Sequence, residues 1–435
     1  MDATDKFELF ASYMSLEPAE EHTPAQPAAV RYQSIKRQTS EISVREQRPM
    51  PASAYQRAPC GSSPAELRSL VAEPHTSGQL SASEVKKNAL GVSYAAMPGG
   101  KRIALLKTLL TSACERNCYY CPFRAGRDFR RATFRPEEMA RAFMQLYQSR
   151  TAEGFFLSSG IAGGGMRTQD NLIDTAEILR RKLDYTGYLH LKIMPGAERA
   201  QVERMMALAD RVSVNLEAPN AARLARLAPS KVFIEELLRP LQWVEEIRRT
   251  QPSHLGWRGK WPSSVTQFVV GGADESDLEI MSVSAELYKR LRLSRVYYSA
   301  FHPVMDTPLE NHPAENPWRE FRLYQSSFLL RDYGFDLEDL PFMDSGNLPL
   351  EIDPKIAWAQ HNLTETPVEV NKADRQTLLR VPGIGPKGVN EILAARRRMT
   401  FRNLRDLQKT GVLANRAAPF VLLDGRRPAQ QLSLW

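Results

Sequence analysis

The sequence predicts an α/β protein: a curved, partial (β/α)6 barrel, a small all-α unit after it, and a long N-terminal extension largely without fixed structure. Short β-rich runs alternate with helical stretches six times between about residues 102 and 333, and strands each followed by a helix pack as a parallel sheet with crossover helices. Six units are fewer than the eight that close a barrel, so the sheet should stay open. The first 85 residues instead mix Pro, Ala, Ser, Gln and charge without period, and such a stretch cannot bury enough apolar surface to offset its ordering entropy.

The elements follow in order. Within 1–85 the composition is compatible with short helices such as 65–71, and Cys60 stands there as an isolated free thiol. The barrel occupies 86–340. IALLKTLLT is its first strand and PEEMARAFMQLYQS the first helix; GFFLSS, YLHLKIM, RVSVNLE, SVTQFVVGG and SRVYYSA follow as strands two to six, each trailed by a helical run. Residues 341–367, rich in Pro, Asp and Asn, read as a connector packed on the barrel, 368–425 as a compact helical unit and 426–435 as a polar tail. Ligands of such a barrel gather at the C-terminal ends of the strands.

Charge is unevenly spread. From residue 368 onward thirteen Lys and Arg face five acids, which accounts for the whole formal excess of +8. That balance suits a surface that meets a polyanion. No run of about 18 apolar residues suggests a membrane-spanning helix. The opening MDATDKFELFASYM carries acids where a signal peptide needs basic residues, so a cytoplasmic protein is expected.

Four cysteines are too few for a disulfide framework, and Cys114, Cys118 and Cys121 lie within eight positions in TSACERNCYYCPF. Placed in the loop after the first strand, that grouping asks for a metal. Structural zinc wants four protein ligands, yet no Cys or His follows within sixty residues; the next histidine is His190. A zinc knuckle completed by a remote histidine is the alternative to a cubane, which three thiolates hold while leaving one iron open.

The Cys-x3-Cys-x2-Cys spacing after strand one, with Tyr120 before the last cysteine, resembles the signature of the radical SAM superfamily. The resemblance implies a 4Fe-4S cluster on Cys114, Cys118 and Cys121 whose open iron is chelated by S-adenosylmethionine, with Tyr120 beside the adenine. It also implies that an electron reductively cleaves the cofactor to a 5′-deoxyadenosyl radical, so that an electron donor such as flavodoxin or ferredoxin is needed. By the same resemblance Ser158, Ser159 and Gly160, ending strand two, hold the cofactor amino group, although the acidic residue often found there is missing. Asn215 and Glu217, two apart on strand four, would meet the ribose, unless they are merely polar residues at a strand end. Gly271 and Gly272 after strand five would let backbone approach the adenosyl part. Lys192 on strand three would meet the cofactor carboxylate or else is simply solvated. No residue identifies itself as an acid or a second radical carrier.

In ADRQTLLRVPGIGPKGVNEILAARRR a helix stops at Val381-Pro382, a Gly-Ile-Gly turn follows, and Pro386 opens a second helix. Gly383 and Gly385 let the turn present N–H groups beside a helix N-terminus, a ready phosphate site, with Lys387 adding charge and Arg396, Arg397 and Arg398 further along. This resembles the helix-hairpin-helix module that grips DNA backbones. FRNLRDLQKTGVLANRAAPF resembles a second copy whose hairpin lacks its second glycine. Arg124, Arg127, Arg130, Arg131 and Arg135 either guide a phosphate backbone or pair with local acids such as Asp128 and Glu137. Across about 88–425 the chain resembles a radical SAM family of DNA modification or repair proteins associated with a uracil-DNA-glycosylase-like partner. That implies action on DNA, single-stranded or damaged because a buried base must first be exposed, with RNA or a DNA-bound protein as alternative substrates and a non-catalytic metal-containing adaptor as a further reading. The final Gln431-Leu432-Ser433-Leu434-Trp435 resembles the peptide by which repair proteins bind the bacterial sliding clamp, Gln431, Leu432, Leu434 and Trp435 being its anchors.

Overall fold

A computed structural model describes residues 1–14, 87, 89–96 and 102–428. Cys60 and the clamp-like residues Gln431, Leu432, Leu434 and Trp435 lie outside the described residues. The main sheet has seven strands in sequence order: β1 Val92–Ala96, β2 Arg102–Leu109, β3 Gly154–Ser158, β4 Tyr188–Lys192, β5 Arg211–Ser213, β6 Ser263–Val270 and β7 Arg295–Ala300. β2 to β7 run parallel and are the six expected strands, whereas β1 pairs antiparallel with β2. That seventh strand was not foreseen, because VSYAA is too short to show a period.

Helices cover the convex face: α1 Ala3–Met14, α2 Pro136–Gln148, α3 Gly165–Glu177, α4 Arg199–Met206, α5 Ala221–Leu227, α6 Arg239–Thr250, α7 Asp277–Leu291 and α8 Pro317–Asp332. Alternation along the strands sorts the side chains. Leu106, Phe155, Leu189 and Val212 face the helices and are fully buried, with Phe143 of α2 stacked on Phe155 at 4.2 Å. The concave face is polar: Lys107, Phe156, His190 and Arg211 stand in one register row, with Phe156 edge-on to His190 at 4.6 Å. Deeper packing on this face joins His190 Nε2 to Ser213 Oγ at 2.9 Å and the Asn215 amide to Gln267 at 3.0 Å.

Within the extension expected to lack structure, α1 docks on the barrel. Phe7 and Phe10, three apart on one helix face, are buried against Phe134 with centroids at 5.0 and 6.0 Å, and Lys6 reaches Glu138 at 2.6 Å. At the far edge, the backbone N–H groups of Val296, Tyr298 and Ala300 in β7 donate to Tyr288 Oη, Tyr324 Oη and Glu320 Oε2. Among the described residues no helix is long and apolar enough to cross a membrane.

The C-terminal part has its own core, built from Ala359, Leu363, Leu378, Ile384, Val389, Phe401 and Val421 among others. Its elements are α9 Pro354–Asn362, β8 Val368–Glu369, α10 Arg375–Arg380, α11 Pro386–Ala395, α12 Leu404–Gln408, α13 Ala414–Ala417 and β9 Val421–Leu422, which pairs parallel with β8. The stretch read as connector therefore contributes α9 to this core, since Ala359 and Leu363 fall on one helix face. The unit is also not purely helical. It is fixed to the end of α8 by Arg380, which pairs with Asp339 at 2.9 Å and lies over the rings of Phe335 and Trp358.

Candidate metal centre and its surroundings

The loop carrying Cys114, Cys118 and Cys121 crosses the C-terminal end of β2. Thr111 pairs with Thr133, closing the loop at its base, and Arg131 staples its two limbs together. The Arg131 guanidinium donates to the carbonyls of Ser112, Phe123, Arg124 and Arg127 at 2.7, 3.0, 2.8 and 3.3 Å and lies over the Phe129 ring at 4.4 Å. Arg127 reaches the carbonyls of Pro122 and Met305. Of the five arginines after the cysteines, these two are thus held by carbonyls.

Gly160 is required by the loop's close approach: a Cβ there would stand 2.3 Å from the Ala113 carbonyl oxygen, and its N–H donates to the Thr111 carbonyl at 2.7 Å. The next N–H, of Ile161, points at Cys114 Sγ at 3.5 Å, and the Phe123 N–H at Cys121 Sγ at 3.4 Å. Cys118 is buried while Cys114 and Cys121 are half-buried. Burial pushes the Cys118 and Cys121 thiols up; Cys114 raises both further, and Cys118 also raises Cys121.

A buried ion pair lies beneath. Lys231 Nζ meets Glu217 Oε1 at 2.9 Å, with the two side chains only 10% and 4% exposed. Burial works against both charges. For Glu217, Lys231 and Lys192 outweigh it and hold the carboxyl below the usual carboxylate range; for Lys231, Cys118 and Glu217 outweigh it and raise the ammonium above its ordinary value. The Tyr120 phenol, pushed well up by burial and by Glu217, adjoins this pair without completing a hydrogen bond of ordinary geometry. Glu217 Oε2 is left buried with no hydrogen-bond partner among the described residues. Glu217 itself occupies left-handed backbone, φ 66°, fixed by its N–H to the Gln267 carbonyl and its carbonyl to the Val269 N–H.

The other expected residues divide. Ser158, Lys192 and Asn215 stand on the concave side with the pair. Ser159, one residue on, faces the helices instead, and its hydroxyl is buried without a partner among the described residues. Gly271 has φ 84°; its N–H is taken by Glu275, while its carbonyl accepts from His312 and keeps a second lone pair. Lys231 and the staple Arg131 were not singled out from sequence. Lys231 sits in an irregular PSKVF stretch where nothing marks it, whereas Arg131 was visible only as one charge in a basic run.

Among the described residues no three His, Cys, Asp or Glu side chains group tightly enough for a single metal ion. A cubane sets each thiolate on a separate iron. One buried and two half-buried thiols, N–H groups aimed at the Cys114 and Cys121 sulfurs, a buried lysine alongside and no fourth protein ligand among the described residues fit such a cluster with one open iron.

In the C-terminal unit, Gly383 has φ 83°, and a Cβ there would stand 2.4 Å from the Leu413 carbonyl oxygen. The turn leads into α11, whose first-turn N–H groups have no intrahelical acceptor, and Lys387 is exposed beside them. Lys355 braces the turn from below, donating to the Ile384 carbonyl at 2.7 Å over the Tyr333 ring at 4.4 Å. Arg397 and Arg398 are exposed, but Arg396 turns inward to the carbonyls of Val370 and Ala373 at 3.2 and 2.5 Å. It is a clamp on the β8 loop and not an open cation. The second hairpin spends its Leu413 N–H on the Gly383 carbonyl at 3.0 Å.

Residues 108–279 match the family model described as the radical SAM superfamily. A search of curated proteins gave no match. Solved structures similar to this chain include the FeFe-hydrogenase maturase from Carboxydothermus hydrogenoformans, at 15% identity over 52% of this chain and 51% of that one, TM-score 0.41. Another is methylornithine synthase, at 14% identity over 54% of this chain and 64% of that one, TM-score 0.42. The chain spans about half of the first of these structures and 64% of the second. Residues 108–279, with the three cysteines inside them, thus form a radical SAM superfamily domain, which implies an enzyme of one 4Fe-4S cluster and S-adenosylmethionine.

Proposed function

We propose that this radical SAM enzyme acts on DNA, modifying or repairing it, with the unit from Pro354 onward as a helix-hairpin-helix grip. The observation that carries the reading is the turn Gly383-Ile384-Gly385, which leads into the start of α11 with Lys387 exposed beside it, inside the stretch that holds the chain's entire net positive charge. When bound, the cluster and S-adenosylmethionine supply a radical able to remove hydrogen from an unactivated carbon. The chain's part is to orient and to exclude water. Cys114, Cys118 and Cys121 hold the cluster, the Glu217–Lys231 pair and Tyr120 set the field beneath it, and Ser158, Lys192 and Asn215 line the concave side toward the cofactor. A hydrogen on a base or sugar reaches such a site when the nucleotide is unpaired or flipped. A redox partner delivers the electron, and a uracil-DNA-glycosylase-like protein is the functional associate suggested by resemblance.

The test is isotope transfer. Enzyme reduced anaerobically with S-adenosylmethionine is given deuterated single-stranded DNA, duplex DNA or RNA, and deuterium is sought in 5′-deoxyadenosine. Label from DNA supports the proposal. Label from RNA alone, with none from DNA, overturns it.

A further inference from the structure

Ser159 points away from the cluster side of the sheet into a second cavity. This cavity, about 350 Å³, lies on the helix side of the sheet where β2 and β3 end and α2 and α3 begin, and Thr111, Thr133, Ser159, Gly163, Arg167 and Asn171 stand in its wall. Crossover helices run antiparallel to their strands, so α2 and α3 both begin at this end.

Three independent features there ask for negative charge. The 13-residue helix α3 starts after Gly163 and Gly164, both with positive φ, at 74° and 89°. No side chain therefore covers its first-turn N–H groups, which lack intrahelical acceptors and carry the positive end of the helix dipole. Arg167, in that first turn, folds back over the same end: a Cβ on Gly163 would lie 3.3 Å from its Cδ and 3.6 Å from Nη1. A cation at the positive end of a helix is repelled there, and Arg167 has no carboxylate partner among the described residues. The nearest acid to the turn, Glu115, accepts the Gly164 N–H at 3.3 Å but is not in the cavity wall. Thirdly, Ser159 is 8% exposed and its hydroxyl lacks a partner among the described residues. A buried hydroxyl left unpaired costs free energy that a ligand acceptor recovers. The hydroxyls of Thr111 and Thr133, by contrast, bond each other at 2.6 Å.

We infer that this cavity is a binding site for a phosphate-class oxyanion, held by Arg167 and the α3 N-terminus with Ser159 donating from the back wall. It is set on the opposite face of the sheet from the cofactor side. The group could belong to a free phosphorylated molecule or to a nucleic-acid backbone, and the two sources share this chemistry.

The probe is inorganic phosphate. Full-length, cluster-loaded protein is titrated with phosphate against potassium chloride at matched ionic strength, following binding heat and melting temperature. Wild type is expected to show one saturable phosphate site, weakened at least tenfold in Arg167→Ala and severalfold in Ser159→Ala, with partial recovery in Arg167→Lys. Arg167→Ala should keep its visible cluster absorption and its KM for S-adenosylmethionine. A short duplex oligonucleotide forms the second arm. If it competes with phosphate in wild type and loses affinity in Arg167→Ala, the site takes backbone phosphate; if it does neither, the site takes a free phosphorylated ligand. Chloride giving the same stabilisation as phosphate, or equal phosphate affinity in wild type and Arg167→Ala, overturns the inference. A raised KM for S-adenosylmethionine in Arg167→Ala also overturns it, by assigning the arginine to the cofactor.

Discussion

Replacing Arg131 by Ala removes the side chain that spans both limbs of the cysteine loop. Four carbonyls, on Ser112, Phe123, Arg124 and Arg127, lose a charged donor. Hydrogen bonds to charged groups contribute about 1.5–3 kcal/mol each when buried, but Arg131 is half-buried and water can reach some of the freed carbonyls. We therefore expect a net loss of roughly 3 kcal/mol, not the sum. For a barrel of this size that lowers the melting temperature by roughly 5–10 °C. The loop opening should also lower iron retained per chain after gel filtration. Arg131→Lys keeps the charge and loses the planar fork, so it should recover less than half of either loss. Iron content and melting temperature, read side by side with DNA affinity, form the assay. Arg131→Ala with normal iron and normal stability but weakened DNA binding would refute the reasoning, because it would make the side chain a phosphate contact.

Four further outcomes follow from the same structure. Changing Cys114, Cys118 or Cys121 to Ala should abolish visible cluster absorption and cofactor cleavage, while Cys60→Ala should do neither; anaerobic reconstitution reads both. Gly383→Ala should cost about 2 kcal/mol, because left-handed backbone and a Cβ 2.4 Å from the Leu413 carbonyl oxygen cannot both be accommodated, and DNA affinity should fall with it. Burial pushes Lys355 down to about 7 from 10.5, against the pull of Asp353. The folded unit therefore binds fewer protons than the unfolded chain between those values, and its stability rises with pH across that window and declines toward pH 7. The gain is at most about 5 kcal/mol, reduced by the Ile384 carbonyl and the Tyr333 ring that favour the charged form; Lys355→Met should flatten the slope in hydrogen exchange of α10 and α11. Truncation before Pro354 should preserve uncoupled cofactor cleavage and remove the salt-sensitive part of DNA affinity, read from the salt slope of binding. A cut before Val368 should behave worse, since it leaves α9 without its core.

The parallel strands were legible because each ends in a periodic helix, and the cysteine loop because its spacing has a chemical meaning of its own. What stayed hidden depends on distance in the chain. Lys231 becomes meaningful only when the fold brings it to Glu217, fourteen positions away. Arg396, Arg397 and Arg398 look alike in sequence, and only the position of the Val370 and Ala373 carbonyls turns the first of them inward. Ser158 and Ser159 were read as one motif, yet strand alternation sends neighbouring side chains to opposite faces. That rule was available from the sequence. Alternation would also have disclosed the polar row Lys107, His190 and Arg211 inside the barrel. In α1 the pair Phe7 and Phe10 was the only sign of a docking face, too brief a signal to stand out from 85 residues of polar chain.

The side-chain caps on β7 bear on how the barrel would admit the DNA proposed as its substrate. A sheet that stops short of closure normally carries a row of unsatisfied amides at its rim, and these recruit other strands or force the rim to be screened. Tyr288, Tyr324 and Glu320 quench that row at β7 from within the fold, while at the opposite rim β1 pairs antiparallel with β2 and becomes the edge strand itself. The β7 rim is consequently a finished surface. If the substrate is DNA, as proposed, a strand would pass this rim without any β-strand having to part, so entry on that side would carry no unfolding step.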